Sequence, residues 1–301
     1  MKRTVLVGHP SVSWRAWIKE NRGDRDFLCL DPTDATYGQP AVLSLFRNDR
    51  PLYQRFYGSL DATRAPHVLF AALVEALGHT DRDVLIQLFV YRVTPLLRQT
   101  LQLTLHYLQA DEVLIPDELR DAVPDGKVLI ALDKSFPNLV QIAQRKARWL
   151  DLLERTESHV VDLNEAILEG CRLGSGYRLS AHQKTKLGIE EAYAEVIGNS
   201  LFVVSDQEYE EWVISRAMDF THTTRVNVVA PDLYHGALCS FAKKTGEDFG
   251  FGRVERIDFT NLKAFVQCTA IPPVPVPILR IGSLRVDENG NEHGELKPWQ
   301  V

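Results

Sequence analysis

Four groups of residues have the types and spacing to hold an anion or move a proton. The first is Gly8-His9-Pro10-Ser11-Val12-Ser13-Trp14-Arg15, which follows an aliphatic run. Gly8, Ser11, Ser13, Arg15 and nearby backbone amides could gather around a phosphate where a helix begins. The second is Asp31, a carboxylate at a strand end, able to hold a hydrated Mg²⁺ or accept a proton from a hydroxyl. The third is a set of arginines, Arg92, Arg145 and Arg148, the last two spaced to share one helix face. The fourth is the stretch from Gly170 to Gly188, which carries Arg172, Arg178, Lys184 and Lys186 and no acidic residue. With Tyr177 and His182 among them, these cations could follow a phosphate backbone while a ring stacks on a base.

Each group has a plainer alternative. Gly8 could be a strand-end turn and Trp14 a packing aromatic. Asp31 could cap its own turn. Asp151 and Glu154 near the arginine pair fit a solvated helix face, and loops on any protein surface resemble the basic stretch.

Other chemistries are absent from the pattern. The four cysteines, Cys29, Cys171, Cys239 and Cys268, form no CxxC pair, which gives no zinc knuckle and no disulfide framework, so buried free thiols are expected. The nine histidines make no HxxxH or HExxH pair, and no GxSxG occurs. A calcium loop beginning at Asp287-Glu288-Asn289-Gly290-Asn291 would lack the glycine at its sixth position and the glutamate at its twelfth. A net charge of -6 argues against a general nucleic-acid coat protein, although not against a local basic groove. The start, MKRTVLVGHPSVSW, is too briefly apolar for a signal peptide, and no window reaches a membrane span. A reduced cytoplasmic setting is the simplest expectation.

Positioning these residues requires a scaffold. Aliphatic runs at Thr4–Gly8, Phe27–Leu30, Asp83–Phe89, Glu112–Ile115 and Lys127–Leu132 read as strands. Helical spacing predicts helices over 14–21, 66–78, 94–109 and 138–155. Continuous aliphatic strands alternating with helices predict a mostly parallel sheet with helices on both faces. Sites in such sheets lie beyond the carboxyl ends of the strands, here near Gly8, Asp31 and Phe89. After about residue 190 the texture changes. Short strands are expected over 201–204, 225–229, 233–241, 253–259, 264–269 and 278–286, punctuated by glycines and a Pro272–Pro277 stretch. Asn289-Gly290 is expected to supply positive φ in a closing hairpin. Two domains follow, 1–195 (α/β) and 196–301 (strand-rich).

The order of several segments resembles the P-loop polynucleotide 5′-hydroxyl kinases of RNA processing. That group includes the kinase subunit of the pre-mRNA 3′-end cleavage factor and its ribosomal-RNA-processing relatives. FLCLDPTDATYGQPAVLSLF is similar to the family's second-strand segment, and FYGSLDATRAPHVLFAAL to the segment that leads into its next helix. GEDFGFGRVERIDFTNLKAFVQC and PILRIGSLRVDENGNEHGEL are similar to its closing module. The resemblance runs from about residue 4 to about residue 297, and it implies a P-loop NTPase-like α/β fold.

It also implies a site whose parts have changed. A working loop reads GxxxxGK[ST], with backbone amides cradling phosphate, a lysine on the outer phosphates and a hydroxyl on Mg²⁺. Here Gly8 remains, but Ser13, Trp14 and Arg15 stand for the second glycine, the lysine and the hydroxyl residue. Pro10 removes one donor. Asp31 survives in the second-strand block, while Cys29, Thr33 and Asp34 depart from it. Gln87-Leu88-Phe89-Val90-Tyr91 keeps only the aromatic of a Thr-x-Gly-Trp clasp, and Arg145 and Arg148 lack the RxxxR lid spacing.

The expectation is therefore a pseudoenzyme with a degenerate Walker A loop, serving as a binding or scaffold protein for RNA or an RNA-processing partner. No resident cofactor is implied. The alternative is an active kinase with a rearranged site, taking ATP and Mg²⁺ and using Asp31 as its catalytic residue. In that case Gly8, Ser11, Ser13, Arg15, Arg92, Arg145 and Arg148 would hold nucleotide and phosphate. Arg172, Tyr177, Arg178, Lys184 and Lys186 are the candidate RNA contacts.

Overall fold

The computed structural model describes residues 1–129, 132–270 and 276–297. The chain divides into two compact units, 1–149 and 150–301. The first contains β1 (Arg3–Gly8), β2 (Val12–Ser13), α1 (Arg15–Asn21), β3 (Asp26–Cys29), β4 (Val42–Arg47), β5 (Arg50–Phe56) and α2 (Pro66–Gly78). It continues through β6 (Val84–Val90), α3 (Pro95–Leu108), β7 (Glu112–Pro116), β8 (Lys127–Leu129), β9 (Asp133–Lys134) and α4 (Asn138–Leu153), inside which the boundary falls.

Seven of these strands form one sheet in the order β5-β4-β3-β6-β1-β7-β8. Strands β3, β6, β1, β7 and β8 run parallel, and the β4–β5 hairpin extends the β3 edge antiparallel. Alternation along the strands separates the faces. Val5, Val7, Leu28, Leu30, Ile86 and Leu88 point to the face covered by Leu69, Leu73 and Ala76 of α2 and by Leu97, Leu101 and Leu108 of α3. Leu6, Phe27, Cys29 and Leu85 point to the other face, packed on Trp14 and Ile18. The expected mostly parallel sheet with helices on both faces is what forms.

Local chemistry accounts for the boundaries. Thr94 caps α3 by accepting from Leu97 N–H at 3.3 Å, and Pro95 and Pro66 stand where a helix needs no amide donor. The β4–β5 hairpin was not foreseen, because its turn lacks glycine. Asn48 and Asp49 both take positive φ, 49° and 62°, which a tight two-residue hairpin requires. Of the expected strand over 127–132, residues 130–131 lie outside the described residues, as do 272–275 of the proline stretch.

The second unit contains β10 (Glu157–Asp162), β11 (Ile167–Glu169), β12 (Tyr177–Arg178), α5 (Ala181–Leu187), β13 (Tyr193–Ile197), β14 (Ser200–Val204) and α6 (Glu211–Thr221). Then follow β15 (Arg225–Val229), β16 (Ala237–Ala242), β17 (Asp248–Asp258), β18 (Lys263–Cys268), β19 (Ile278–Val286) and β20 (Glu292–Glu295). One sheet runs β10-β18-β17-β16-β19-β11, with β20 on β19; a smaller one runs β12-β13-β14-β15. Phe202, Phe241, Val254, Val266 and Ile281 share one core.

A domain boundary at 195/196 would cut β13 in mid-strand, between its neighbours β12 and β14. The real division lies some 45 residues earlier, since β10 must pair with β18. Two smaller differences follow from side-chain and turn geometry. Residues 231–234 form a helical turn and the expected strand over 233–241 starts at Ala237; in the turn of the last hairpin Gly290 (φ 73°) takes positive φ and Asn289 does not. All four cysteines are free, and Cys29, Cys239 and Cys268 are buried.

Gly252 of β17 faces Cys268 across the ladder, and a Cβ there would overlap the Gln267 carbonyl. Backbone cannot yield as a side chain can, so Gly252→Ala should cost more than about 4 kcal/mol, the range of severe core defects. Urea denaturation monitored by circular dichroism measures it; a loss under about 1 kcal/mol would refute this reading of the ladder.

Candidate functional site

The tips of β1, β3 and β6 lie side by side at the carboxyl end of the sheet. Gly8 ends β1 against β6: its carbonyl accepts from Tyr91 N–H at 2.8 Å, and a Cβ would stand 3.0 Å from the Phe89 carbonyl oxygen. Glycine is required here for close approach, since Gly8 has no positive φ.

The following loop runs partly exposed from His9 to Ser13 and ends in the buried Trp14, and several of its polar groups are already engaged. Val12 and Ser13 pair as a strand with Lys134 and Asp133, and Ser135 N–H donates to Ser11 O at 3.0 Å. The Ser11 hydroxyl donates to Glu118 Oε1 at 2.7 Å, which helps hold that carboxyl below its usual range, and His9 Nδ1 lies 2.8 Å from the same hydroxyl. Ser13 Oγ accepts weakly from Arg15 N–H at 3.4 Å. Trp14 is buried among Leu6, Ile18, Phe27 and Cys29, and its indole N–H donates to the Val7 carbonyl at 3.0 Å. Arg15 is exposed and opens α1, a helix of only seven residues.

The β3 tip is different. Asp31 is buried, 7% exposed, and its Oδ1 accepts from Thr33 N–H at 2.9 Å and from the Thr33 hydroxyl at 2.8 Å. Burial, with the nearby Asp34 charge, pushes the Asp31 carboxyl up to about 6, against the opposing pull of Thr33 and Arg145. Asp34 accepts from Tyr37 N–H at 3.0 Å and is also pushed up by burial. The Cys29 thiol is raised by burial and by both carboxylates, which makes it a poor nucleophile.

Two expected arginines reach this place from α4. Arg148 donates from Nε to Ala35 O and from Nη2 to Thr36 O, both at 2.9 Å. Arg145, three residues earlier and buried, lowers Asp31 by its charge. Gln87 of β6 stands opposite Cys29, and its buried Oε1 has no hydrogen-bond partner among the described residues. Sequence reasoning missed Asp34 and Gln87 as members of this cluster; the only signal was their place at the tips of neighbouring strands. Arg92 is exposed on the loop after β6, and Tyr91 is buried in the core.

The cluster therefore sets Asp31, pushed up to about 6, and Asp34, also raised by burial, beside two guanidinium groups. It can accept a proton, or hold a donor against Asp31 and Gln87. Among the described residues no three His, Cys, Asp or Glu side chains are arranged to hold a metal ion.

The basic stretch lies in the second unit and is largely internal in its bonding. Glu195, buried, accepts from Gly174 N–H at 2.8 Å and Gly176 N–H at 3.3 Å, so an internal carboxylate fills this loop's amide nest. Lys184 donates to Glu190 O and Ala192 O, at 2.9 and 2.8 Å, and Arg178 to Asn164 Oδ1 at 3.1 Å. Residues 181–187 are helix, capped reciprocally by Ser180 and Gln183, where the sequence suggested loop. Arg172 is half-buried; Tyr177 and Lys186 are exposed.

No family model matches the chain, and no curated protein does. Solved structures do. One, of the extended interface between Pcf11p and Clp1p and the structural basis for ATP loss in a glycine-to-arginine point mutant, aligns over 94% of this chain and 75% of its own, with TM-score 0.55 and 12% identity. A structure of the wild-type Clp1p–Pcf11p complex aligns over 94% and 74%, with TM-score 0.56 and 12% identity. The chain has a Clp1p-like α/β fold. At that identity the likeness is one of fold. Among the described residues no helix is long and apolar enough to cross a membrane.

Because the folded protein favours protonated Asp31, this group's stabilising contribution is full below 3.8 and lost as pH rises through about 6. Asp31→Asn keeps an acceptor for Thr33 and removes the titration, so it should gain up to about 3 kcal/mol over wild type at neutral pH and little in acid. Urea midpoints across that range test this; a variant less stable than wild type at neutral pH would overturn it.

Proposed function

We propose that this chain is a non-catalytic relative of the polynucleotide 5′-hydroxyl kinases, a binding or scaffold protein that works with RNA or an RNA-processing partner. The observation that carries the reading is Trp14. At the position where the phosphate loop of such kinases has its lysine, the indole is buried and bonded to the Val7 carbonyl. Phosphoryl transfer depends on placed positive charge, and loss of one such group costs orders of magnitude in rate. Of the loop's two hydroxyls, that of Ser11 is engaged by Glu118 rather than free to meet an anion. The partner part of the reading draws on the Clp1p–Pcf11p structures, which are complexes of two proteins.

A second reading keeps an active site, and Asp31 favours it. A buried carboxyl near 6, beside Arg145, is suited to take a proton from a hydroxyl near neutral pH. ATP and Mg²⁺ would be the co-reactants. Arg15, Arg92, Arg145 and Arg148 would supply the positive charge, and Gly8, Ser11 and Ser13 the remaining contacts.

Two measurements separate the readings. Titration calorimetry with ATP and GTP, with and without Mg²⁺, should show no Mg²⁺-coupled micromolar binding. Incubation with ATP, Mg²⁺ and a 5′-hydroxyl oligonucleotide should give no transfer above blank. Transfer by wild type that Asp31→Ala abolishes would establish the second reading and end the first.

A further inference from the structure

The opposite, amino-terminal end of the first unit's sheet holds a cavity of ≈ 500 Å³, within the range of small-molecule sites. It lies on the flank of the sheet face beside α1, a helix of seven residues and so only about 10 Å long. Leu114 of β7 and Leu129 of β8 line this flank, and Trp17 of α1 forms a wall. Trp17 is half-buried and packs edge-on against the locked Trp14, with ring centroids 5.9 Å apart at 84°, so its ring plane is held.

The polar lining is unbalanced. Lys2, Arg25 and Lys127 meet a single carboxylate, Glu112, which lies 3.1 Å from Lys127 Nζ and 3.9 Å from Lys2 Nζ. Among the described residues the half-buried Arg25 guanidinium donates to uncharged oxygens: the Arg22 carbonyl at 3.1 Å, Thr4 Oγ1 at 3.2 Å and the Asn21 carbonyl. Those bonds fix its position without neutralising its charge. Two surplus cations in a concave site are unusual on a chain of net charge -6, and they select an anion. Guanidinium and ammonium groups suit a phosphate, and the flat indole beside them suits a ring.

We propose that this cavity binds a small phosphorylated ligand carrying a flat ring, of which a nucleoside monophosphate is the simplest. The phosphate sits among Lys2, Arg25 and Lys127, and the ring lies against Trp17. The site shares no residue with the Asp31 cluster, and its occupation requires no Mg²⁺.

Calorimetry on the full chain with adenosine monophosphate, adenosine and inorganic phosphate tests this. The monophosphate should bind saturably at submillimolar concentration, and the two fragments about tenfold or more weaker, each lacking one class of contact. The exposed pair Lys2→Gln/Lys127→Gln should weaken the monophosphate about tenfold without disturbing the fold. Trp17→Ala, checked for folding by circular dichroism, should remove the preference over inorganic phosphate. Asp31→Asn and Mg²⁺ should change nothing, whereas nucleotide binding at the strand tips would require Mg²⁺ and survive the lysine changes. Absence of saturation in the millimolar range, equal binding of phosphate and monophosphate, or indifference to the lysine pair would each overturn the proposal.

Discussion

The burial of Trp14 is the constraint on which the strand-tip architecture depends. An indole placed in a core must satisfy its N–H, and the Val7 carbonyl at 3.0 Å does so. That bond draws the start of α1 down onto β1 and sets the course of residues 9–13. Within that course Val12 and Ser13 are paired with β9. Trp14 also supports Trp17, so one side chain links the closed loop at one end of the sheet to the cavity at the other.

The β3 tip shows a different balance. Taking Asp31 and Asp34 out of water raises both carboxyls, and local donors hold each: the Thr33 N–H and hydroxyl for Asp31, the Tyr37 N–H for Asp34. Arg148 uses its fork on the Ala35 and Thr36 carbonyls, which fastens the loop to α4. The positive charge of α4 thus shapes the loop that carries the carboxylates. Such a site is poised for proton chemistry and equally suited to a structural clasp, because the same desolvation produces both.

In the second unit, the basic composition of 170–188 has a structural cause. Glycine amides at 174 and 176 wrap the buried Glu195, and Lys184 satisfies two carbonyls at the end of α5. Acidic residues are missing from the stretch because its carboxylate partner comes from β13. Composition along the chain could not reveal a counter-charge that arrives from another strand.

Much of the first unit was legible in the residues themselves. Aliphatic runs marked β1, β3, β6 and β7, and helical spacing with proline or a capping threonine marked α2 and α3, since these signals depend on near neighbours. Gly8, Asp31, Arg145 and Arg148 could be singled out the same way, from their types and places at strand and helix ends. The union of Asp31 with Asp34, Arg145 and Gln87 could not, and neither could the engagement of Ser11 by Glu118. The boundary at 149 was hidden for the same reason: β10 finds its partner β18 a hundred residues later. Local pattern decides which elements form, because helix and strand periodicity are properties of adjacent residues. Which polar groups meet, and which remain free for a ligand, is decided only when packing brings distant strands and helices to one surface.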